Sequence, residues 1–123
     1  MTLEETMLTE RLDRIKSLNL NLENIINLLH GRKIAPLERI NENIEYVTGD
    51  LGLDVKVFEK LPALFGYSLN NRIKPRTEFL RTKGKRINLL SHITRSDFIF
   101  CEKIVNCSLG EYQEFKDNYL NNM

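Results

Sequence analysis

The chain has 123 residues, 41% hydrophobic and 28% charged, with 18 Lys and Arg against 17 Asp and Glu and a formal net charge of +1 at pH 7. This length fits one domain, and the composition excludes a disordered chain, a collagen and a membrane-spanning protein, which needs an apolar run of about 18 residues. The small total charge argues against a nucleic-acid-binding protein, unless the positive residues are concentrated in one place.

The N-terminal stretch from Thr2 to Leu18 is predicted to be a helix, because Leu8, Leu12 and Ile15 fall on one face. Its first ten residues contain three glutamates. A mitochondrial or chloroplast transit peptide is Arg-rich and poor in acidic residues, and no secretory apolar segment follows the first methionine. We therefore expect no targeting segment in this chain.

The sequence repeats itself with a period of 33 residues. Residues 18–48 align with residues 51–81 with six identities, among them Leu18 with Leu51 and Arg39 with Arg72, and apolar positions are kept as well. A repeated apolar phase is typical of units that stack and bury a continuous core. We predict a single helical-repeat domain over 1–123, made of a partial repeat (1–17), two repeats (18–50 and 51–84), a second partial repeat (85–107) and a capping helix (108–123).

Apolar spacings of three and four residues predict two helices in each repeat, and strand-like alternation is missing from the sequence. The fold class is therefore all-α. The predicted inward positions of the first helices are Leu22, Ile25, Ile26, Leu28, Leu29, Val55, Phe58 and Leu61. Those of the second helices are Leu37, Ile40, Ile44, Val47, Leu69, Ile73 and Leu80.

Shorter helices are predicted after Gly84. Leu89, Leu90 and Ile93 indicate a brief one, and Ser96 is placed to N-cap another. The predicted apolar positions of that helix are Phe98, Cys101, Ile104 and Val105.

Ser108 is placed to N-cap the last helix, and Glu111 three residues later completes a capping-box pattern. The apolar stripe of this helix consists of Leu109, Tyr112, Phe115, Tyr119 and Leu120. Such a stripe most simply caps the stack of repeats. The alternative is a protein-docking surface formed by Tyr112, Phe115 and Tyr119.

The charges are concentrated in one segment. Residues 71–86 contain seven basic residues and only Glu78 as an acidic one; the basic residues are Arg72, Lys74, Arg76, Arg81, Lys83, Lys85 and Arg86. Two readings are open: a surface that binds phosphate, or a solvated face whose cations stabilise the C-terminus of a helix. Pro75 lies seven residues past a predicted N-cap at Ser68, so we expect the helix to bend there.

The pattern P-x-L-x-x-Y-S-L-x-x-R-I-x-P-R-x-x-F-L-x-x-K-G, here Pro62 to Gly84, resembles the signature of the mitochondrial transcription termination factor (mTERF) family. The continuation LLSHITRSDFIF resembles the ends of its C-terminal repeats, and FCEKIVNCSLGEYQEF is similar to the tail of the third animal subgroup. The resemblance implies a left-handed α-solenoid whose repeats each hold two α-helices and a short 3₁₀ turn. It also implies a basic concave side that binds double-stranded DNA or structured RNA such as ribosomal RNA.

The same resemblance assigns roles to residues. The basic positions of the R-I-x-P-R motif, Arg72 and Arg76, would contact phosphate, and Arg39 would do so one repeat earlier, joined by Arg32 and Lys33. The earlier repeat departs from the motif, because Leu29 stands where the later repeat has Pro62. Family members regulate organellar transcription, its termination, or ribosome assembly, which implies a location in the mitochondrial matrix.

No enzyme is expected, because the glycine-rich, nucleophile and metalloprotease motifs are missing from the sequence. Cys101 and Cys107 do not form a CxxC pair, and His30 and His92 stand alone, so we expect no metal, cofactor or small-molecule substrate. The competing function is a protein-interaction module that recruits an RNA-modifying or ribosome-assembly partner. Exposure of Phe115 or Tyr119 would favour that function.

Overall fold

A computed structural model describes residues 2–29 and 34–123, and throughout these ranges the regular secondary structure is helical, with no strand. The all-α prediction is therefore confirmed. No helix in these ranges is long and apolar enough to span a membrane. The chain divides into two compact units, Met1–Tyr67 and Ser68–Met123. The division falls inside the expected repeat 51–84, and the repeat boundaries stay a prediction.

The helices of the N-terminal unit are α1 (Leu3–Lys16), α2 (Leu22–Leu29), α3 (Leu37–Glu45) with a π-helical continuation (Tyr46–Asp50), α4 (Val57–Lys60) and a 3₁₀ helix (Pro62–Phe65). The predicted helix around Phe58 is only four residues long. Its end is set by Pro62, because proline disfavours the helical conformation of the residue before it, and Leu61 has φ −135° and ψ 74°.

Helix α1 begins with a capping box. The Thr2 hydroxyl accepts a hydrogen bond from the Glu5 N–H at 3.1 Å, and the Glu5 carboxylate accepts one from the Thr2 N–H at 3.3 Å. These bonds satisfy two backbone donors that a helix start leaves unpaired. The predicted apolar face of α1 is only partly buried, since Ile15 is enclosed but Leu8 is 45% exposed.

The core of this unit uses most of the predicted inward positions. Ile25, Ile40 and Val47 are fully enclosed, and Phe58 stacks on Phe65 with their ring centroids 4.4 Å apart. The second-helix prediction is confirmed at Ile40, Ile44 and Val47. The first-helix prediction is wrong at two positions, because Ile26 and Leu28 are 46% and 43% exposed; the eight-residue α2 turns only part of its surface inward.

The helices of the C-terminal unit are a π-helical turn (Leu69–Ile73) that continues as α5 (Lys74–Thr82), α6 (Leu89–His92), α7 (Asp97–Ile99) with a π-helical continuation (Phe100–Val105), and α8 (Leu109–Asn121). The sequence predicted their order and three of their N-caps. The hydroxyls of Ser68, Ser96 and Ser108 each accept a hydrogen bond of 3.2 Å from the N–H three residues further on. Only half of the predicted Ser108 box forms, because the Glu111 carboxylate pairs with Lys83.

The π-helical turn accommodates Pro75. The N–H groups of Ile73 and Lys74 bond to the carbonyls of Ser68 and Leu69, each five residues back. Proline lacks an N–H and its ring clashes with the carbonyl four residues earlier, and a widened turn just before it relieves that conflict. The sequence predicted a bend at Pro75. At this place the structure changes from π-helical hydrogen bonds, five residues back, to the α-helix of α5.

A cluster of buried aromatic and aliphatic side chains forms the core of this unit, and α8 closes it. The Phe79 ring lies 5.1 Å from the Tyr112 ring and 5.1 Å from the Phe115 ring. Phe100 and Cys101 are fully enclosed in the same cluster. The predicted inward position Phe98 is wrong, since this side chain is 51% exposed.

Helix α5 ends at Thr82, and Gly84, two residues later, has a positive φ of +65°. The Gly84 N–H bonds to the carbonyl of Arg81, and the Lys85 N–H bonds to that of Leu80. This pair of bonds is a Schellman motif, in which glycine takes the left-handed conformation that other residues adopt only with strain. The motif places Lys83, Lys85 and Arg86 at the negative end of the α5 dipole, where cations are stabilised.

Candidate nucleic-acid interface

Arg76, the second arginine of the R-I-x-P-R motif, is buried inside the C-terminal unit with 1% of its surface exposed. Its Nη1 donates to the carbonyl of His92, and its Nη2 donates to the carbonyl of Arg95 at 2.7 Å and to Asp97 Oδ1 at 2.9 Å. The guanidinium also lies 4.8 Å from the centre of the Phe100 ring. A buried cation is costly unless it is paired and hydrogen-bonded, and these contacts meet that need at both Nη atoms.

Arg72, the first arginine of the motif, holds the same segment of chain and is half-buried. Its Nε donates to the carbonyl of Ile93 at 2.8 Å, and its Nη2 donates to the carbonyl of Arg95 at 2.7 Å. Arg72 and Arg76 therefore form a clamp on the main chain that links α6 to α7. We call these two residues the arginine clamp.

In the N-terminal unit, side chains at the repeat-equivalent positions also donate to main-chain carbonyls. Thirty-three residues before Arg72, Arg39 donates to the carbonyl of Gly66 at 3.3 Å. Thirty-three residues before Arg76, the amide of buried Asn43 donates to the carbonyls of Leu64 and Tyr67, each at 2.9 Å. A polar side chain on the second helix thus satisfies carbonyls that the next short helix leaves unpaired.

The burial of Arg76 conflicts with its predicted role as a phosphate contact. Its side chain is enclosed and each Nη atom already donates to the protein, so reaching a phosphate would break those bonds. Arg72 is also committed to two main-chain carbonyls. The R-I-x-P-R motif therefore has a structural explanation, which is to anchor the linker between α6 and α7.

Other cations of the basic segment form exposed ion pairs. Arg81 Nη1 lies 2.8 Å from Glu78 Oε1, and Lys83 Nζ lies 2.8 Å from Glu111 Oε2. Lys83 Nζ is also 5.5 Å from the centre of the Phe79 ring. Exposed pairs contribute about 0 to 1 kcal/mol, so these two cations can exchange their partners for a phosphate at little cost.

Lys85 and Arg86 follow the end of α5, and both side chains are exposed. In the described part of the chain, no hydrogen bond or ion pair engages either side chain. Lys74, in the first turn of α5, is half-buried and already interacts with the rest of the protein, so it is less accessible than Lys85 and Arg86. The accessible cations of the segment are therefore at its end, and we call Arg81, Lys83, Lys85 and Arg86 the basic turn.

The predicted cations of the earlier repeat are only partly described. Arg39 is exposed but donates to Gly66 as stated above. Arg32 and Lys33 lie outside the described residues. Their predicted contact with phosphate stays a prediction.

Burial shifts the pKa values of three groups near Arg76. Burial and the Arg76 charge lower the pKa of His92 to about 4, so this histidine is neutral at pH 7. Burial raises the pKa of Tyr112 and of the Cys101 thiol, each to about 12. Both groups therefore stay protonated at neutral pH, which fits a packing role.

The aromatic stripe of α8 is mainly core. Tyr112 is fully enclosed, so its predicted part in a docking surface is wrong. Phe115 is half-buried against the core, and Tyr119 is half-buried and stacks on Phe115 with a centroid distance of 6.2 Å. The capping role accounts for these positions.

Neither Arg95 nor Asn43 stands out in the charge pattern or among the identical positions of the repeat. Arg95 is an exposed residue directly before the N-cap Ser96, outside the basic segment, so charge density along the chain did not select it. Asn43 stands at the position of Arg76 in the repeat alignment. This alignment of two polar side chains is the sequence signal of its role.

The described residues form an all-α helical-repeat fold, in which polar side chains of one helix bond to main-chain carbonyls in or just after the next short helix. The mTERF family model matches residues 2–103, and the chain belongs to the mTERF family. The family is organellar, and its members are nucleic-acid-binding regulators that are generally not enzymes. A search of solved structures finds no match.

Proposed function

We propose that this chain binds the phosphate backbone of double-stranded DNA or structured RNA through the basic turn. The observation that carries the proposal is the exposure of Arg81, Lys83, Lys85 and Arg86 within six residues at the end of α5, in a chain of the mTERF family. Cations that neutralise phosphates release condensed counterions, which drives binding without reading the base sequence.

The role proposed for this binding is regulation of mitochondrial gene expression in the matrix, at the level of transcription, its termination or ribosome biogenesis. Family membership supports the organellar context. The basic turn supports a contact with the nucleic-acid backbone, since its Lys and Arg side chains face solvent and the ion pairs of Arg81 and Lys83 are exposed.

The alternative function, a protein-interaction module that recruits an RNA-modifying or ribosome-assembly partner, has less support. Its distinguishing feature was an exposed Phe115 or Tyr119, and both are half-buried while Tyr112 is enclosed. Docking through α8 would have to use the remaining exposed edges of these rings.

The proposal is tested by fluorescence anisotropy of the chain with labelled duplex DNA and with structured RNA, from about 0.05 to 0.3 M salt. Each phosphate contact adds about 0.9 to the slope of log K against log salt on duplex DNA. The double variant Lys85→Gln with Arg86→Gln should therefore lower that slope by about 1.8. The comparison of the two nucleic acids decides which is preferred.

The matched control is Lys56→Gln with Lys60→Gln, which removes two exposed lysines of the N-terminal unit and changes the net charge equally. It should leave the slope unchanged. Binding that ignores both salt and the basic-turn substitutions would refute the proposed function. An equal loss in the control pair would show that net charge, not the basic turn, drives binding.

A further inference from the structure

The linker between α6 and α7 presents an exposed arginine on a firmly held main chain. The side chain of Arg95 is exposed, and within the described ranges nothing bonds to its guanidinium. In contrast, its carbonyl accepts hydrogen bonds from Arg72 Nη2 and Arg76 Nη2, both at 2.7 Å. The carbonyls of His92 and Ile93 are held by the same two guanidinium groups.

The local charge around this linker is positive. Two guanidinium groups reach one carbonyl, and the side chain of Arg95 itself adds a third cation. Asp97 supplies one carboxylate, which is paired with Arg76 at 2.9 Å. Because Arg76 is buried, its field is screened less by solvent and salt than that of an exposed cation.

We propose that Arg95 is a further phosphate-contacting residue, and that Arg72 and Arg76 are the positioning residues that hold it. The ligand is a phosphodiester group of a nucleic-acid backbone, so this inference rests on the proposed function. A guanidinium presents paired donors that match the oxygens of a phosphate. The clamp fixes the main chain of Arg95 before binding, so less conformational freedom is lost when the contact forms.

The arginines of the C-terminal unit then have two different roles. The clamp residues direct their donors into the protein, whereas Arg95 directs its main chain inward and leaves its side chain in solvent. Arg72 and Arg76 of the basic segment then contribute to phosphate binding through Arg95, which lies outside that segment.

The test measures the salt dependence of binding for Arg95→Gln in the full chain. Loss of one phosphate contact should lower the duplex slope by about 0.9, which corresponds to about fivefold weaker binding at 0.15 M salt and little change near 1 M. Lys16→Gln, at an exposed lysine of α1, is the charge-matched control and should leave the slope unchanged. A wild-type slope for Arg95→Gln would overturn the inference, and the proposed role of the basic turn would be unaffected.

The positioning role is tested with Arg72→Lys, which keeps the charge but cannot bond to both carbonyls in the same geometry. It should weaken binding in the wild-type background and have no effect once Arg95 is Gln. An equal effect in both backgrounds would show that Arg72 acts independently of Arg95 and would overturn this part. If the wild-type chain binds neither duplex nor RNA, the proposed function fails and the inference fails with it.

Discussion

Replacing Arg76 with methionine tests whether this arginine stabilises the fold or contacts phosphate. The substitution removes the donors to the carbonyls of His92 and Arg95 and to the Asp97 carboxylate. Hydrogen bonds to a charged group contribute about 1.5 to 3 kcal/mol each, but they are not additive, and the Arg95 carbonyl keeps its bond from Arg72 Nη2. Asp97 is 42% exposed, so its share is reduced by solvent screening.

Removing one partner of a buried ion pair typically costs about 3 to 5 kcal/mol. With the discount for Asp97, we expect Arg76→Met to lower the free energy of unfolding by about 3 kcal/mol. A domain has only about 5 to 15 kcal/mol in total, so the loss is large. Urea denaturation followed by circular dichroism measures it.

The control is Arg86→Met, an exposed arginine of the basic turn, which should change stability by less than about 0.5 kcal/mol. It should weaken nucleic-acid binding instead. A loss below about 1 kcal/mol for Arg76→Met would refute the clamp. If that variant also bound nucleic acid more weakly at unchanged stability, the phosphate contact expected from the sequence would be correct after all.

Two further predictions concern stability. The unfolded chain protonates His92 as the pH falls through 6.5, whereas the folded pKa is about 4, so stability should be full above pH 6.5, fall by roughly 3 kcal/mol down to pH 4, and level off below. Urea titrations between pH 7 and 4 should show this fall, and His92→Leu should flatten it; an unchanged profile would contradict the assignment. Phe79→Ala should cost about 3 to 5 kcal/mol, since Phe79 is 2% exposed among three other rings. Half-buried Leu61→Ala should cost only roughly 1 to 2 kcal/mol, and equal losses would show that Leu61 is as much core as Phe79.

Local signals in the sequence were sufficient where local physics decides the structure. The three serine N-caps and the inward positions Ile40 and Val47 follow from side chains that interact within a turn or two of the helix. The end of α4 and the widened turn before Pro75 depend on how proline restricts the backbone of its neighbours. The spacing of apolar residues carries no information about that restriction.

The candidate site was harder to predict, because charge along the chain does not show which cations are paired. Arg81 and Lys83 meet Glu78 and Glu111, and the second of these pairs joins residues 28 positions apart. Arg76 meets carbonyls 16 to 19 residues away. These pairings exist only when the helices have packed.

By itself, the sequence determined the all-α class, the helical repeat and the family, because apolar period and motif spacing are properties of the chain. It also located the basic segment. Only the tertiary structure decided that Arg72 and Arg76 face the protein while the basic turn and Arg95 face solvent. The reason is physical: an arginine that can bond to unpaired buried carbonyls stabilises the fold, and only one left in water remains available to a phosphate.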